Sequence, residues 1–364
     1  MLGLIALAMV VYRVTTAVEG GHPYTTADWL INYSAGFVRR GLFGELFLAV
    51  VPSGPAAIWV LTALQVILYG IVLAFGAWFV RSRDFSWSSI ALAVGPATLG
   101  FFAWSPQAAG RKEVLAYVAL ALLVWSVTAA GRRAAVVLPL IALALFALGT
   151  FSWEATALFL PAVVYLLFRP GGAARFRRLL SAAFAAVGVA GVALSFATDR
   201  SAGAAAAICA TVREHGFTGP AICSGAIDWL QMSMADGIHG VVDSFPLFLG
   251  YIPLLVLAAV PFALAPWVRR NILWTVLVTG AFVPLMVIAQ DEGRWIAAIA
   301  TALFFCIAAR PVEEGESRAW TWLAAVLYTT LWGIPYWLPA DHTTAWPWLG
   351  LAHTLGSWAA FLAG

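Results

Sequence analysis

Long apolar windows alternate with short polar connections along nearly the whole chain. A helix that crosses a hydrocarbon layer needs about 20 such residues, and the pattern predicts about eleven of them. The expected spans are 2–18, 55–80, 87–104, 113–130, 134–151, 155–169, 179–197, 249–267, 272–289, 295–310 and 319–338. Pro55, Pro170 and Pro311 fall at expected ends, where proline starts or stops a helix. Two polar stretches, about 19–54 and about 198–248, are too long for simple turns. The first window reads as an uncleaved span, because no small-residue cleavage site follows it and Glu19-Gly20-Gly21 leads straight into an aromatic loop. The expected fold is all-α: one integral-membrane domain over 1–364, a polytopic helical bundle without visible internal repeats.

Composition sharpens this picture. Hydrophobic residues make up 63% of the 364 positions and charged residues 10%, with a mean hydropathy of +0.91. Soluble domains carry roughly 45–50% apolar and about 25% charged residues. So few charges could not cover this much apolar surface in water, which excludes a cytosolic enzyme, a nucleic-acid binder and a disordered chain. A net charge of +3 is too small to suggest a polyanionic partner. Lys112 is the single lysine among twenty basic residues, and Ala and Gly are abundant, which reads as a GC-rich bacterial source.

The arginines set the expected orientation. One set of connections holds Arg81, Arg83, Arg132, Arg133, Arg169, Arg175, Arg177, Arg178, Arg269, Arg270, Arg310 and Arg318, twelve basic residues against four acidic ones. The opposite set has seven basic against thirteen acidic, with Arg13 left inside the first span. A Lys/Arg excess marks the cytoplasmic side. The N-terminus is therefore expected inside, with both long loops and all five histidines on the outer, periplasmic face of a bacterial inner membrane. Cys209 and Cys223, fourteen positions apart in the second outer loop, read as a disulfide. No histidine lies at ligand spacing from them, so a zinc site is not expected.

Candidate chemistry then collects in the outer turns. In the first outer loop Trp29 and Tyr33 are four apart and would share a helix face, Gly36 breaks that run, and Leu42, Phe43, Leu46 and Phe47 follow; a helix lying along the membrane surface fits both pieces. Arg39 and Arg40 run against the orientation rule, and a phosphate, which the guanidinium fork matches, would retain them; binding to lipid headgroups is the simpler alternative. Arg111 and Lys112 open a helix, where an anion is already favoured, unless Glu113 merely pairs with them. Glu154 sits beside Trp153 at the mouth between two spans, as either a functional carboxylate or a first-turn acid. Asp291, Glu292 and Arg294 form the densest polar turn, with Arg294 able to hold phosphate and Asp291 or Glu292 to orient it, or with Trp295 as a plain interfacial cap. His239 and Asp236 are weaker substrate-binding candidates. Asp341 and His342 could join the Arg294 turn or lie in a solvated tail, and Arg13 could either snorkel outward or reach the site.

An outer-face site with several cations and few carboxylates suits one reaction class. No nucleoside triphosphate is available there and no P-loop is present, so the activated donors are sugars on polyprenyl phosphates. Their transfer needs a carboxylate to take a proton from the acceptor hydroxyl and cations to stabilise the departing phosphate. At this point the chain resembles the GT-C superfamily of integral-membrane glycosyltransferases, through an inside N-terminus, a long polar and aromatic first outer loop, short following turns and a large loop after the seventh span. The resemblance implies that Asp28 is the catalytic base, with Glu19 a second possibility. Arg39, Arg40, Arg111, Lys112 and Arg294 would hold the donor phosphate, and Trp29, Tyr33 and Trp153 would stack on sugars. Asp28 has no acidic neighbour, so the paired motif of commoner members is missing and the expected chemistry is inverting and metal-independent, with no cofactor beyond the lipid-linked donor as substrate and with a divalent metal as the open alternative. The strings Gly36-Phe37-Val38-Arg39-Arg40-Gly41-Leu42 and Asp291-Glu292-Gly293-Arg294-Trp295 also resemble bacterial envelope-polysaccharide membrane proteins. The expected partners are a polyprenyl-phosphate lipid, membrane lipids and a saccharide or glycolipid acceptor. A lipid-linked oligosaccharide polymerase or ligase, and a lipid-phosphate transporter or flippase, are the alternatives.

Overall fold

The computed structural model describes residues 1–83, 85–105, 108–128, 131, 133–168, 174–197, 203–244, 249–310 and 321–336. Asp341 and His342 lie outside the described residues. Among the described residues all regular elements are helical. In chain order they are α1 (Leu2–Val18), α2 (Ala27–Leu30), α3 (Leu42–Val50), α4 (Ala56–Ser82), α5 (Trp87–Val94), α6 (Phe101–Trp104), α7 (Val114–Thr128), α8 (Ala134–Ser152), α9 (Leu160–Leu167), α10 (Ala174–Ala197), α11 (Ala204–Glu214), α12 (Met234–Asp243), α13 (Tyr251–Leu264), α14 (Pro266–Arg270), α15 (Ile272–Gly280), α16 (Val283–Ile288), α17 (Glu292–Ala308) and α18 (Trp322–Thr330).

Three of these, α4, α8 and α10, are long and apolar enough to cross a membrane. Their outer faces carry exposed Trp59, Val60 and Ile67, then Val136, Val137, Leu140 and Ile141, then Leu179, Val189, Leu194 and Phe196. Water does not tolerate apolar faces of that extent, whereas lipid does. By length and composition these three helices fit a membrane location.

Several expected spans are interrupted, and proline is the common cause. The window 87–104 splits into α5 and α6 because Pro96 disfavours helical geometry at the preceding residue, and Gly95 is accordingly extended at φ −57°, ψ 152°. The window 155–169 begins as a 3₁₀ turn, Glu154–Phe159, before α9. Pro161 lacks the N–H and clashes with the carbonyl four residues back, so α9 cannot extend further toward the N-terminus. The window 272–289 breaks between α15 and α16, where Pro284 stands at the start of the second piece. The first outer loop also departs from expectation: α2 has only four residues and ends at Leu30, so Trp29 and Tyr33 share no helix face.

The described residues fall into two compact units: Met1–Met9, Leu73–Ala108 and Met234–Gly364 form one, and Val10–Val72 with Ala109–Ser233 the other. The division falls inside α1 and α4. In the first unit all seventeen residues of α17 are buried; beyond Glu292 and Arg294 in its first turn the helix is apolar on every side apart from Thr301, which suits burial. Its Phe304 and Phe305 meet Phe79 and Phe75 with ring centres 5.0 and 4.9 Å apart. In the second unit α7 and α10 pack against α8, α9 packs against α7 and α10, and α3, with α2 against it, meets α8. This second unit holds the polar site.

Candidate functional site

The site grows from the turn that follows α1. Gly20 and Gly21 take φ values of 82° and 112°, which side-chain-bearing residues rarely adopt, and reverse the chain at the helix end. His22 Nδ1 then accepts the backbone N–H groups of Tyr24 and Thr25, both at 3.2 Å. The Thr26 hydroxyl accepts from His22 N at 3.0 Å. This turn presents Thr25 and Thr26 to Arg13, whose guanidinium donates to both hydroxyls. Arg13 is buried; it points into the unit and does not snorkel outward. Gln65, a lone amide inside apolar α4, donates to the carbonyls of Thr25 at 2.8 Å and Gly110 at 3.1 Å. It thereby ties this loop to the turn before α7.

Asp28 lies in the first turn of α2 and is only 2% exposed. Its Oδ1 is 3.8 Å from Lys112 Nζ. Lys112 is 0% exposed, and its ammonium donates to the carbonyls of Arg40 at 3.0 Å and Ser152 at 2.9 Å. The ammonium therefore joins three loops that are far apart in sequence. Ser152 closes the same junction from its other end, its Oγ accepting from Phe43 N at 2.9 Å. Lys112 serves as the internal clamp of the site; it does not present its ammonium at an open phosphate-binding surface as expected from sequence, because burial and two carbonyls occupy it.

Arg40 is held twice. Its backbone sits in the left-handed region at φ 71°, rare for a side-chain-bearing residue. Its carbonyl is pinned by Lys112, and its guanidinium forms a forked pair with Glu154, Nη2–Oε1 at 2.6 Å and Nε–Oε2 at 2.9 Å. Neighbouring Arg39 donates to the Trp229 carbonyl at 3.4 Å. Arg111 is buried, with Cζ 5.7 Å from the Tyr24 ring centre. Its own N and O bracket the Tyr69 hydroxyl at 3.1 and 3.2 Å.

The aromatic residues divide. Trp29 is fully buried, its ring edge-on to Phe43 at 4.6 Å and its Nε1 donating to the Gly110 carbonyl. It has no open face, so the sugar-stacking role expected from its loop position is corrected to a packing role. Trp153 is likewise buried, at the extended cap of α8. Tyr33 is half-buried and stacks on exposed Phe37 at 5.2 Å, 27° from parallel. That pair is the aromatic platform of the loop, and Phe37 was not singled out by sequence. Glu19 is exposed on the turn after α1, away from the burial that encloses Asp28.

Cys209 and Cys223 are joined in a disulfide, with Cα atoms 5.7 Å apart. It ties α11 to a segment that hydrogen-bonds the first loop: Gly219 N donates to Gly20 O at 2.8 Å and Ala226 N to Pro23 O at 2.9 Å. Arg294, Asp291, His239 and Asp236 belong to the other unit. There Arg294 Nη1 lies 3.1 Å from Asp291 Oδ2, and Tyr336 OH donates to the same oxygen at 3.3 Å. His239 and Asp236 are exposed on α12.

Electrostatics favour an anion in the second unit. Among its described residues the buried charges are Arg13, Arg111 and Lys112 against Asp28 and Glu113, three cations to two carboxylates. Half-buried Arg40 and Glu154 cancel, and Arg39 adds another positive charge. An excess of buried positive charge is costly unless an anion offsets it. Burial pushes Lys112 down to about 8 against the upward pull of Asp28. Burial, then Arg13 and Arg111, lowers His22 to about 4. Among the described residues no cluster of His, Cys, Asp or Glu could hold a metal ion.

No protein-family model matches the chain, and no curated protein or solved structure is significantly similar to it. The sequence picked out Asp28, Arg39, Arg40, Arg111, Lys112 and Glu154, which lie in the second unit. It missed His22, Ser152, Tyr69 and Gln65. Gln65 carried a readable signal, since a polar side chain within an apolar span marks a site by default.

Proposed function

We propose that this protein is an integral-membrane glycosyltransferase of the GT-C type in a bacterial inner membrane. It moves a sugar from a polyprenyl-phosphate donor to a saccharide or glycolipid acceptor on the extracytoplasmic face, in cell-envelope synthesis. The reading includes about eleven membrane passages, counting the shorter and interrupted apolar helices, with the N-terminus inside. The observation that carries it is the buried pair of Asp28 and Lys112, 3.8 Å apart where three loops meet under an excess of positive charge.

In the reaction, an Asp28 carboxylate oxygen takes the proton from the acceptor hydroxyl. The hydroxyl oxygen so freed forms the new bond to the anomeric carbon, and the bond from this carbon to the phosphate oxygen breaks. The polyprenyl phosphate leaves with its charge met by Arg39 and Arg111, while Lys112 and the Arg40–Glu154 fork fix the loops that carry them. Tyr33 and Phe37 offer a face for a sugar or prenyl group.

The test is transfer of label from a polyprenyl-phosphate sugar by the purified protein in lipid nanodiscs supplied with envelope glycolipid. Asp28→Asn should cut transfer by about a hundredfold or more while donor binding persists. Unchanged transfer in that variant would remove Asp28 from the chemistry. A product ladder would instead indicate a polymerase or ligase. Donor movement across vesicle bilayers without transfer would indicate a flippase.

A further inference from the structure

The geometry points to a phosphate seat at the outer edge of the second unit, built by His22 with Arg111 and Arg13, in which the His22 Nε2–H donates to a phosphate oxygen. The argument begins with the tautomer. Nδ1 accepts two backbone N–H groups, from Tyr24 and Thr25, so it carries no proton. A neutral imidazole holds one proton, which must then lie on Nε2. No group among the described residues accepts from that N–H, and the side chain is half-buried, so its donor remains within reach of a ligand.

Its surroundings are cationic. Thr26 Oγ1 accepts from both the His22 backbone and the Arg13 guanidinium, at 3.0 and 3.3 Å, which sets Arg13 directly behind the turn. Tyr24 bridges to the other cation: its ring centre is 6.1 Å from that of His22 and 5.7 Å from Arg111 Cζ. Burial first, and then both guanidinium groups, keep the imidazole neutral. A fixed N–H donor beside guanidinium groups suits a tetrahedral oxyanion, which accepts several donors at once. The seat deepens the transferase reading by adding a binding residue, but it requires only a phosphate and not sugar transfer.

The full chain in neutral-lipid nanodiscs, with histidine ring nitrogens labelled with ¹⁵N, provides the test. His22→Gln identifies the resonance. Inorganic phosphate, a short-chain polyprenyl monophosphate and acetate are the probes. The expected free state is the Nε2–H tautomer, and the phosphate-bearing probes should move its resonance saturably. Arg111→Gln should weaken the response about tenfold or more, as loss of a charge-assisted hydrogen bond does. Tighter binding of the prenyl probe assigns the seat to a lipid phosphate, and equal binding of both to a free phosphate. A proton on Nδ1, no response to either phosphate, or an equal response to acetate overturns the proposal. The wild-type titration decides even if the Arg111 variant does not fold. Asp28→Asn should keep the response, so failure of the transferase reading and failure of the seat are separable.

Discussion

Arg40 and Glu154 stand 114 positions apart in sequence and lock together fork to fork, with contacts of 2.6 and 2.9 Å. The pair explains how a side-chain-bearing residue persists at φ 71°, since both its carbonyl and its guanidinium are fixed from outside. Both side chains remain about a quarter exposed, 27% and 22%, so the pair lies between a surface ion pair and a buried one. A double-mutant cycle with Arg40→Gln and Glu154→Gln should give a coupling of about 1–2 kcal/mol in thermal or denaturant unfolding. Additive losses would show that the fork does not hold the loop.

Lys112 makes the site sensitive to alkaline pH. In the free protein its ammonium is charged below about 8 and neutral above. Deprotonation removes the positive partner of Asp28 and weakens the clamp on the Arg40 and Ser152 carbonyls that fixes the loops of the site. Donor binding and transfer should therefore fall as pH rises through about 8. In Lys112→Arg, where the cation does not titrate, that limb should vanish from the pH profile. A limb unchanged in the arginine variant would assign it elsewhere.

The disulfide should stabilise more than α11 alone. Closing a loop of fourteen positions contributes roughly 3 kcal/mol; Gly219 inside the loop also holds the Gly20 carbonyl, and Ala226 just beyond it holds that of Pro23. Cys209→Ser with Cys223→Ser should lower the unfolding temperature and raise proteolysis within 19–26. Mass spectrometry of the intact wild type under non-reducing conditions checks the bond itself.

Two glycines give opposite expectations. A Cβ on Gly44 would overlap the Ile31 carbonyl, backbone that cannot move aside without shifting the Asp28 loop. Gly44→Ala should destabilise by about 1–3 kcal/mol and reduce transfer. At Gly70, within α4, a Cβ meets nothing within 4 Å. Gly70→Ala should be neutral or stabilise by up to about 1 kcal/mol. Unfolding temperatures of the two variants distinguish these outcomes.

Much of the class was legible in the residues alone: 63% apolar positions in long windows pointed to helices suited to a bilayer, and among the described residues all regular elements are helical, three of them long and apolar enough to cross one. The sequence also pointed to the loops that bear charge, since an arginine or aspartate beside apolar spans is costly and stands out. It did not determine where helices break inside those windows: a hydropathy average passes smoothly over Pro96, Pro161 and Pro284, whereas the backbone does not. Nor could it tell which cations face a ligand and which hold the frame. Arg111 and Lys112 are adjacent in sequence, yet Lys112 has its ammonium on carbonyls 72 and 40 positions away. Trp29 looked like an open aromatic and is sealed by Phe43 and Gly110. His22 carried no signal until its Nδ1 was seen to accept two amides. Each of these roles depends on which donor finds which acceptor once the loops meet, and only the tertiary structure sets that pairing.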